Sequence, residues 1–338
     1  MIGHALATEL YKDPLFAVTA CDIDEQKLFA LSNSCGIQTK RCDLRDRQKV
    51  SELLVNYDLV VNATPGFMGY SVFKSVIEAK KNIVDIAFFP EDALALHDLA
   101  CRNGVIAITD CGVAPGLSNI WIAEAASRLD EIDSAVIYVG GLPANPTPPF
   151  FYKAVFSPAD VIELYTRPAR YIENGKLVVK PALSDVELLD FPGIGTLEAF
   201  NTDGLRSLAH TIKAKTIKEK TLRYPGHIEK MALLREIGFF SDRPVRLNQF
   251  QVRPIDLTSI LLFPLWEMKI GDEDLTVMRV VVAGSKAGKS ITFTYEMIDH
   301  FDRKLLGYTF SRSCKAQGAV MALAEATMER IPERVGCG

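Results

Sequence analysis

The chain has 338 residues, of which 48% are hydrophobic, 24% charged and 9% aromatic, and this composition excludes disordered and fibrous proteins. Its 38 lysines and arginines are outnumbered by 42 aspartates and glutamates, so the chain has no basic excess to bind a nucleic acid backbone. No apolar run reaches the ~18–20 residues that cross a bilayer and the first residues lack signal-peptide order, so we expect a cytoplasmic protein that binds neither nucleic acid nor membrane.

The length and the cysteine content narrow the class of protein further. Single hydrophobic cores rarely exceed roughly 250–300 residues, so the length predicts two domains. The seven cysteines are odd in number and form no CxxC pair, which fits reduced thiols better than a disulfide framework or a zinc site. We expect no bound metal.

Between Phe16 and about Trp121, short apolar runs alternate with longer amphipathic stretches, a pattern typical of βαβ units around a parallel sheet. The predicted strands are short and rich in β-branched residues: Phe16–Cys21, Ile37–Arg41, Leu59–Asn62, Asn82–Ile86 and Val105–Thr109. The predicted helices between and after them are Glu25–Ser34, Arg45–Leu54, Ser71–Ala79, Pro90–Asn103 and one that begins after Gly116. This half of the chain predicts a doubly wound α/β domain.

After Ser134 the pattern changes to longer strand-like runs, which predict an α+β domain on a mixed sheet. The predicted runs are 134–142, 149–156, 169–181 and a hairpin of 275–284 with 289–297 around the turn SKAG. A helix is predicted for Ser311–Ile331 from its composition and period.

The first residues resemble the end of a dinucleotide-binding loop, G-x-G-x-x-G, with Gly3 as its third glycine. Asp22 follows Gly3 by 19 residues at the end of a predicted strand, where such domains place the carboxylate that binds the adenosine ribose. An acid there favours NAD over NADP, because it would repel a 2′-phosphate. Alternatively, Asp22 and Asp24 only cap the following helix.

The first strand and the first two glycines of such a domain are absent from the sequence. Because the first strand lies at the centre of a doubly wound sheet, its loss would leave the backbone edges of two neighbouring strands unpaired. We therefore expect the natural chain to begin upstream, with a strand and a G-x-G sequence.

Further cofactor contacts are expected at the carboxyl ends of the other strands, which line the ligand crevice in open α/β sheets. These candidates are Asp43, Asn62, Ala63, Thr64, Asp85 and Cys111. For Cys111, a role as a small buried hydrophobe is the alternative.

Five later stretches, collinear over nearly the whole chain, resemble the saccharopine dehydrogenase superfamily, and specifically its lysine 6-dehydrogenases. They are TDCGVAPGLSN (109–119), YVGGLP (138–143), YTRPARYIENGK (165–176), LEAFNTDGLRSL (197–208) and TLRYPGHIEKMALLREIGFF (221–240). The resemblance implies a Rossmann domain formed by residues 1–120 and 305–338, with a substrate-binding and dimerisation domain, residues 121–304, inserted between them.

The resemblance also implies a homodimer and an activity. The activity is the NAD-dependent oxidation of L-lysine at its ε-carbon to a semialdehyde, with release of ammonia, and the semialdehyde then cyclises to Δ1-piperideine-6-carboxylate. A saccharopine dehydrogenase is the alternative enzyme, since Cys111 before the glycine resembles saccharopine reductases. A non-catalytic Rossmann sensor or binding protein is an alternative of another class.

Amine oxidation requires an anchor for the carboxylate of the amino acid and a group that accepts a proton. Arg206 and Arg223 are the candidate anchors, because the guanidinium fork pairs with a carboxylate through two bonds. His227 is the candidate base, because an imidazole pKa near ~6.5 suits proton transfer at neutral pH. Asp110, at the end of a predicted strand, could accept the proton instead.

Two further residues of the second domain are candidates for binding the ammonium groups of the substrate. They are Tyr152 and Asp203. A sensor has no need of Arg206, Arg223 and His227 together, whereas either enzyme does.

Overall fold

The computed structural model describes residues 2–269 and 271–301. It divides into two compact units, with the division between Leu117 and Ser118, slightly before the predicted boundary at residue 120. The predicted helix Ser311–Ile331 and the predicted second part of the Rossmann domain, residues 305–338, lie outside the described residues. Within the described ranges, no helix is long and apolar enough to cross a membrane.

The first unit alternates helices and strands along the chain, as the sequence predicts. Its elements are α1 (Ile2–Lys12), β1 (Thr19–Asp22), α2 (Glu25–Cys35), β2 (Gln38–Arg41), α3 (Arg47–Leu54), β3 (Leu59–Asn62), α4 (Gly66–Glu78), β4 (Asn82–Asp85), a 3-10 turn (Ala93–Leu96), α5 (His97–Asn103) and β5 (Ala107–Ile108). Helix α6 (Leu117–Ser127) begins at the division between the units.

Two helices of the first unit begin at residues other than those predicted, one because of a local cap and the other because of its glycines. The helix predicted from Pro90 begins later, because Asp92 accepts a hydrogen bond from the backbone N–H of Leu94 and caps the 3-10 turn. Helix α4 begins earlier than predicted, at Gly66. Gly66 and Gly69 in its first turns have low helix propensity, which hides this start in the sequence.

The strands of the first unit are all parallel and form two sheets. Strand β1 pairs with β2, with Thr19 opposite Gln38, and β3, β4 and β5 form the second sheet in that order. In a doubly wound sheet the expected first strand would lie between β1 and β3. The two sheets are therefore separated between β1 and β3, the position that a central strand occupies in such a sheet.

The second unit carries a long mixed sheet and a helical layer. Its remaining elements are β6 (Glu131–Pro143), α7 (Pro158–Thr166), β7 (Ala169–Glu173), β8 (Lys176–Lys180), β9 (Glu187–Phe191), β10 (Gly195–Asn201), α8 (Leu208–Thr211), β11 (Thr216–Arg223), α9 (His227–Glu236), β12 (Val245–Leu247), β13 (Phe250–Val252), α10 (Pro254–Trp266), β14 (Asp274–Lys286) and β15 (Lys289–His300).

Eight strands form the mixed sheet in the order β15-β14-β6-β11-β10-β9, and β7 joins β11 to β8. Strand β11 runs parallel to β6 and antiparallel to β10 and β7. The β14–β15 hairpin closes with Lys286 opposite Lys289, around the predicted turn SKAG. The predicted fold class, a Rossmann-type α/β domain with a mixed-sheet α+β domain, is confirmed.

The strand predicted for residues 149–156 is wrong. The segment turns at its start, where the N–H of Phe151 donates to the carbonyl of Thr147, and it then enters the core of the second unit. Ala154 donates its N–H to the carbonyl of Trp266, and Tyr152 packs edge-on against the same ring. A short buried apolar run gives the same sequence signal as a strand, which explains the error.

The described cysteines differ in their surroundings. Cys21, Cys35, Cys42 and Cys111 are free thiols, and burial raises the pKa of Cys21 and Cys111 to about 12, so both are neutral at physiological pH. The Sγ of Cys101, the remaining described cysteine, lies 3.6 Å from His97 Nε2. Among the described residues no group of three or more His, Cys, Asp or Glu side chains is arranged to hold a metal ion.

A tight loop between β5 and α6 depends on Gly116. The N–H of Gly112 donates to the carbonyl of Pro115, and the N–H of Leu117 donates to the carbonyl of Gly112. A Cβ atom on Gly116 would lie 1.9 Å from the Gly112 oxygen, and the φ of Gly116 is +143°. No side chain fits at this position without moving the loop.

We predict that Gly116→Ala lowers the free energy of unfolding by about 3 kcal/mol or more, because a steric clash adds to backbone strain. Gly104→Ala is the matched control: Gly104 also has a positive φ, +64°, but no atom lies within 4 Å of its added Cβ. It should cost about 1 kcal/mol. Urea unfolding followed by circular dichroism measures both, and equal losses would contradict the role of the clash.

Candidate functional site

The first unit presents polar residues where its parallel strands end. Asp22 ends β1, Asn62 ends β3, Asp85 ends β4, and Asp110 follows β5. Ligands of open α/β sheets bind at this edge. The predicted cofactor residues therefore fall on the edge that the fold offers to a dinucleotide.

Asp22 and Asp24 have separate roles. Asp24 caps α2, since its side chain accepts the N–H groups of Gln26 and Lys27 at 3.0 and 3.1 Å. Asp22 accepts the N–H of Asp24 through Oδ1 at 3.0 Å, and its Oδ2 accepts no hydrogen bond from the described residues. The carboxylate of Asp22 is thus oriented with one oxygen available to a ribose hydroxyl.

The first turn of α1 and the loop after β3 approach closely. A Cβ on Gly3 would lie 3.4 Å from the Cβ of Ala63. Small residues at both positions keep the backbone accessible, as a bound pyrophosphate or ribose requires. With Asp22, they fit a dinucleotide, for which Gly3 and Ala63 would give room and Asp22 the ribose contact.

Asn62 and Asp85 form a buried hydrogen-bonded pair that holds this loop. Asn62 Nδ2 donates to Asp85 Oδ2 and to the carbonyl of Gly69, while Asn62 Oδ1 accepts from the N–H and hydroxyl of Thr64 at 3.2 and 2.8 Å. Asp85 also accepts the N–H of Ala87 at 2.9 Å. Their side chains are engaged within the protein, so their geometry supports a role in positioning the loop of Ala63 and Thr64.

The other three candidates of the first unit have different surroundings. Asp43 receives two hydrogen bonds, at 2.9 and 2.8 Å, from the guanidinium of Arg45, which lowers the pKa of Asp43 to about 2. Cys111 is buried in an apolar cluster with Leu6 and Val84, which supports the alternative of a small buried hydrophobe. Asp110 is 8% exposed and has a φ of +60°.

In the second unit, Arg223, Tyr165 and His227 form a buried chain of hydrogen bonds. Arg223 Nε donates to the Tyr165 hydroxyl at 3.2 Å, and this hydroxyl lies 2.8 Å from His227 Nε2. His227 Nδ1 lies 2.8 Å from the carbonyl oxygen of Phe150. Arg223 comes from the end of β11, Tyr165 from α7 and His227 from the start of α9, so the chain joins three elements.

The chemistry of these groups determines which atom of each hydrogen bond carries the proton. Burial and the charge of Arg223 lower the pKa of His227 to about 3, so the ring is neutral at physiological pH. The Phe150 carbonyl can only accept, so His227 Nδ1 carries the proton and Nε2 accepts from the Tyr165 O–H. The predicted role of His227 as a base would require Tyr165 to move away, and the bonds seen here support a role in orienting Tyr165.

The guanidinium of Arg223 is a buried charge whose hydrogen bonds are incomplete among the described residues. It is 1% exposed and lies 4.4 Å from the centre of the Tyr152 ring. Nη1 donates to the carbonyl of Leu222, but Nη2 has no hydrogen-bond partner among the described residues. A buried donor that lacks a partner costs free energy, more so on a charged group. An anion, such as a carboxylate, that bonded to Nη2 would therefore be stabilised.

The structure brings together Tyr152, Arg223 and His227 of the predicted site. The other two predicted residues, Asp203 and Arg206, lie in the segment that follows β10. Asp203 is 4% exposed and accepts from Arg170 Nε and Nη2 at 2.8 and 2.7 Å. Its charge is thus balanced within the protein, whereas Arg206 is half-buried with a φ of +45°.

Sequence reasoning missed Tyr165 and Glu219. Glu219 lies on the same face of β11 as Arg223 and is buried against Gly204, where an added Cβ would collide with its carboxylate. Burial raises the pKa of Glu219 to about 7. The three consecutive charges of Lys218, Glu219 and Lys220 are typical of a segment exposed to solvent. Only the apolar residues on either side of them in β11 could have indicated that Glu219 is buried.

The raised pKa of Glu219 predicts a loss of stability with rising pH. The unfolded chain releases this proton near pH 4.5, whereas the folded protein keeps it up to about pH 7, so stability falls between these values and stays lower above them. Glu219→Gln removes this effect. Relative to wild type, it should gain on the order of 2–3 kcal/mol of unfolding free energy between pH 4 and pH 8.

Urea unfolding at the two pH values measures this gain. Glu236→Gln, at an exposed position of α9, is the control and should show no such gain. If the difference between Glu219→Gln and wild type is the same at both pH values, Glu219 does not hold its proton in the folded protein.

Comparison with known proteins gives a consistent match for both units. Residues 1–108 match the family model described as the saccharopine dehydrogenase NADP binding domain, and residues 112–334 match the saccharopine dehydrogenase C-terminal domain. Saccharopine dehydrogenase [NADP(+), L-glutamate-forming] from Saccharomyces cerevisiae is 25% identical over 264 residues, 73% of this chain and 57% of that protein. Alpha-aminoadipic semialdehyde synthase from Arabidopsis thaliana is 28% identical over 220 residues, 60% of this chain.

The chain spans only part of these relatives, since the match covers 21% of the Arabidopsis protein. Among solved structures, apo saccharopine dehydrogenase (L-Glu forming) from Saccharomyces cerevisiae has a TM-score of 0.78 at 16% identity, covering 98% of this chain and 90% of that one. This likeness shows a shared fold. With family models matched over both units, the chain belongs to the saccharopine dehydrogenase family.

Proposed function

We propose that the chain is an NAD-dependent oxidoreductase that oxidises the C–N bond at the ε-carbon of L-lysine, giving the semialdehyde that cyclises to Δ1-piperideine-6-carboxylate. The buried guanidinium of Arg223, whose Nη2 has no hydrogen-bond partner among the described residues, carries this proposal, because it suits the carboxylate that every amino acid substrate offers. When bound, the dinucleotide supplies the hydride acceptor. The residues of this chain supply binding, orientation and exclusion of water.

The aromatic residues around Arg223 strengthen its bond to a carboxylate. Tyr152 and Tyr165 lie against the guanidinium, with ring centres 4.4 and 6.0 Å from Cζ. Trp266 packs edge-on against both rings. Because these rings keep water away, the effective dielectric is low and a charge-assisted bond to Arg223 is stronger than at the surface.

The pairing of neighbouring cations supports lysine over saccharopine, the alternative substrate. Saccharopine carries additional carboxylates, which require additional cations. Arg170 is paired with Asp203, and Lys220 is paired with Glu187. These two charges are balanced within the protein, whereas Arg223 forms no ion pair with the described residues, so Arg223 is the buried cation that remains for the carboxylate of an amino acid.

A saccharopine dehydrogenase activity is the second candidate, because the curated yeast relative carries that name. The two are separated by measuring NAD reduction with L-lysine, saccharopine, L-ornithine and L-glutamate. We predict reduction with lysine and little with the other three. Reduction with saccharopine alone would establish the second candidate, and no reduction with any of them would favour a non-catalytic Rossmann protein.

We predict that Arg223→Met lowers kcat/KM for lysine at least ~100-fold, because the substrate carboxylate loses a buried charged partner. Arg128→Met, which removes an exposed arginine paired with Glu124, is the matched control and should leave kcat/KM unchanged. Steady-state kinetics on variants with native circular dichroism measures the effect. If the kinetic constants of Arg223→Met equal those of wild type, Arg223 does not anchor the substrate carboxylate.

Asp22 predicts the choice of cofactor. Its free carboxylate oxygen should bind the ribose of NAD and repel the 2′-phosphate of NADP. Asp22→Ser should therefore lower the preference for NAD, measured as the ratio of kcat/KM values, at least ~10-fold. Asp24→Ser is the control, because serine also caps a helix and α2 is preserved. If Asp22→Ser keeps the preference for NAD over NADP, Asp22 does not determine the choice of cofactor.

A further inference from the structure

Glu219 is a buried carboxyl group close to Arg223, and the proposed function so far gives it no role. It is 5% exposed and precedes Arg223 by four residues on β11. Because alternate residues of a strand share a face, Glu219, Thr221 and Arg223 point to the same side of the sheet. All three are buried, so this face carries an acidic and a basic side chain that are both shielded from water.

The carboxyl group of Glu219 has incomplete hydrogen bonding. Thr202 and Gly204 form hydrogen bonds to it, but its Oε2 has no hydrogen-bond partner among the described residues. Gly204 lies directly against the carboxyl group and covers it with backbone atoms alone, since an added Cβ would collide with Oε2. A buried acceptor without a partner costs free energy, which a ligand that donates a hydrogen bond to it would recover.

Two basic side chains of the same sheet are already paired with other acids. Arg170 of β7 is paired with Asp203, and Lys220 of β11 is paired with Glu187. Glu219 forms no ion pair with the described residues. Asp203, a candidate from the sequence for binding an ammonium group, therefore has its cation within the protein, whereas Glu219 does not.

Glu219 and Arg223 influence each other without forming an ion pair. Burial raises the pKa of Glu219 to about 7, the charge of Asp203 raises it too, and the charge of Arg223 lowers it. A further cation next to the carboxyl group would favour its ionised form. The face of β11 thus has one position that favours a positive charge, at Glu219, and one that favours a negative charge, at Arg223.

An α-amino acid carries these two charges on one carbon atom. Its carboxylate accepts hydrogen bonds, as Nη2 of Arg223 requires, and its ammonium group donates them, as Oε2 of Glu219 requires. The Cα atoms of the two residues are about 13 Å apart along the strand, a span that two long side chains and one small zwitterion between them can fill. A carboxylic acid without the ammonium group would leave Oε2 without a donor.

We propose that Glu219 binds the α-ammonium group of the substrate while Arg223 binds its α-carboxylate, so that this pair selects α-amino acids. The inference rests on the proposed function only for the class of substrate, because lysine and saccharopine both carry these two groups. It gives Glu219 the role that the sequence suggested for Asp203. The bond is a charge-assisted hydrogen bond from the ammonium group to Oε2.

The test compares L-lysine with 6-aminohexanoate, which is lysine without its α-ammonium group. Isothermal titration calorimetry in the presence of NADH measures binding alone, because NADH cannot accept a hydride. Wild type should bind lysine at least ~100-fold more tightly than 6-aminohexanoate. Glu219→Gln keeps the size of the side chain and removes its charge, so it should weaken lysine binding by most of this factor and leave 6-aminohexanoate binding unchanged.

Glu236→Gln, at an exposed position of α9, is the control and should keep the full preference for lysine. Three results would overturn the proposal: a wild type that binds lysine no more tightly than 6-aminohexanoate, a Glu219→Gln protein that keeps the preference, or one that binds both ligands equally weakly, as a structural role would produce. If Glu219→Gln loses its native circular dichroism, Glu219→Asp replaces it, since the shorter side chain withdraws the charge from the ligand.

The same measurements separate this inference from the proposed function. A preference for lysine that depends on Glu219, without reduction of NAD by lysine, would support the inference and contradict the proposed reaction. Reduction of NAD by lysine and 6-aminohexanoate with equal kcat/KM would support oxidation at the ε-carbon and overturn the role of Glu219.

Discussion

The buried positive charge of Arg223 is the constraint on which the second unit's polar centre depends. A guanidinium removed from water must be compensated by bonds and favourable rings, or the fold would lose several kcal/mol. Tyr165, His227 and the Phe150 carbonyl supply a chain of hydrogen bonds, and Tyr152 lies against the charge. Because these groups come from a loop, a strand and two helices, compensating one charge also fixes how these segments pack.

The hydrogen bonds that join His227, Tyr165 and Arg223 also bear on function. The neutral His227 ring orients the Tyr165 hydroxyl, the hydroxyl orients Arg223 Nε, and Nη2 is left as the open donor. The first unit follows a similar pattern, since Asn62 and Asp85 use their own side chains to hold a loop whose backbone stays accessible. In both units, hydrogen bonds between buried polar groups fix the positions of the atoms that would contact a ligand.

The sequence predicted what depends on local pattern and missed what depends on contacts across the chain. The strand Leu59–Asn62 and the hairpin around SKAG have the predicted positions, because periodicity and turn residues determine them locally. Arg223 and His227 were found through the resemblance, but Tyr165 was not, because its bond to Arg223 spans 58 residues. Burial of Glu219 was missed for the same reason, since it depends on the packing of Gly204 against β11.

The central claim is that Tyr165 acts on the substrate through Arg223. A double-mutant cycle on kcat/KM for lysine, with Tyr165→Phe, Arg223→Lys and the double variant, tests it most directly. If the claim holds, Tyr165→Phe lowers kcat/KM in the presence of Arg223 but has little further effect once Arg223 is replaced by lysine. Independent effects that multiply in the double variant would contradict the claim and give Tyr165 a separate role.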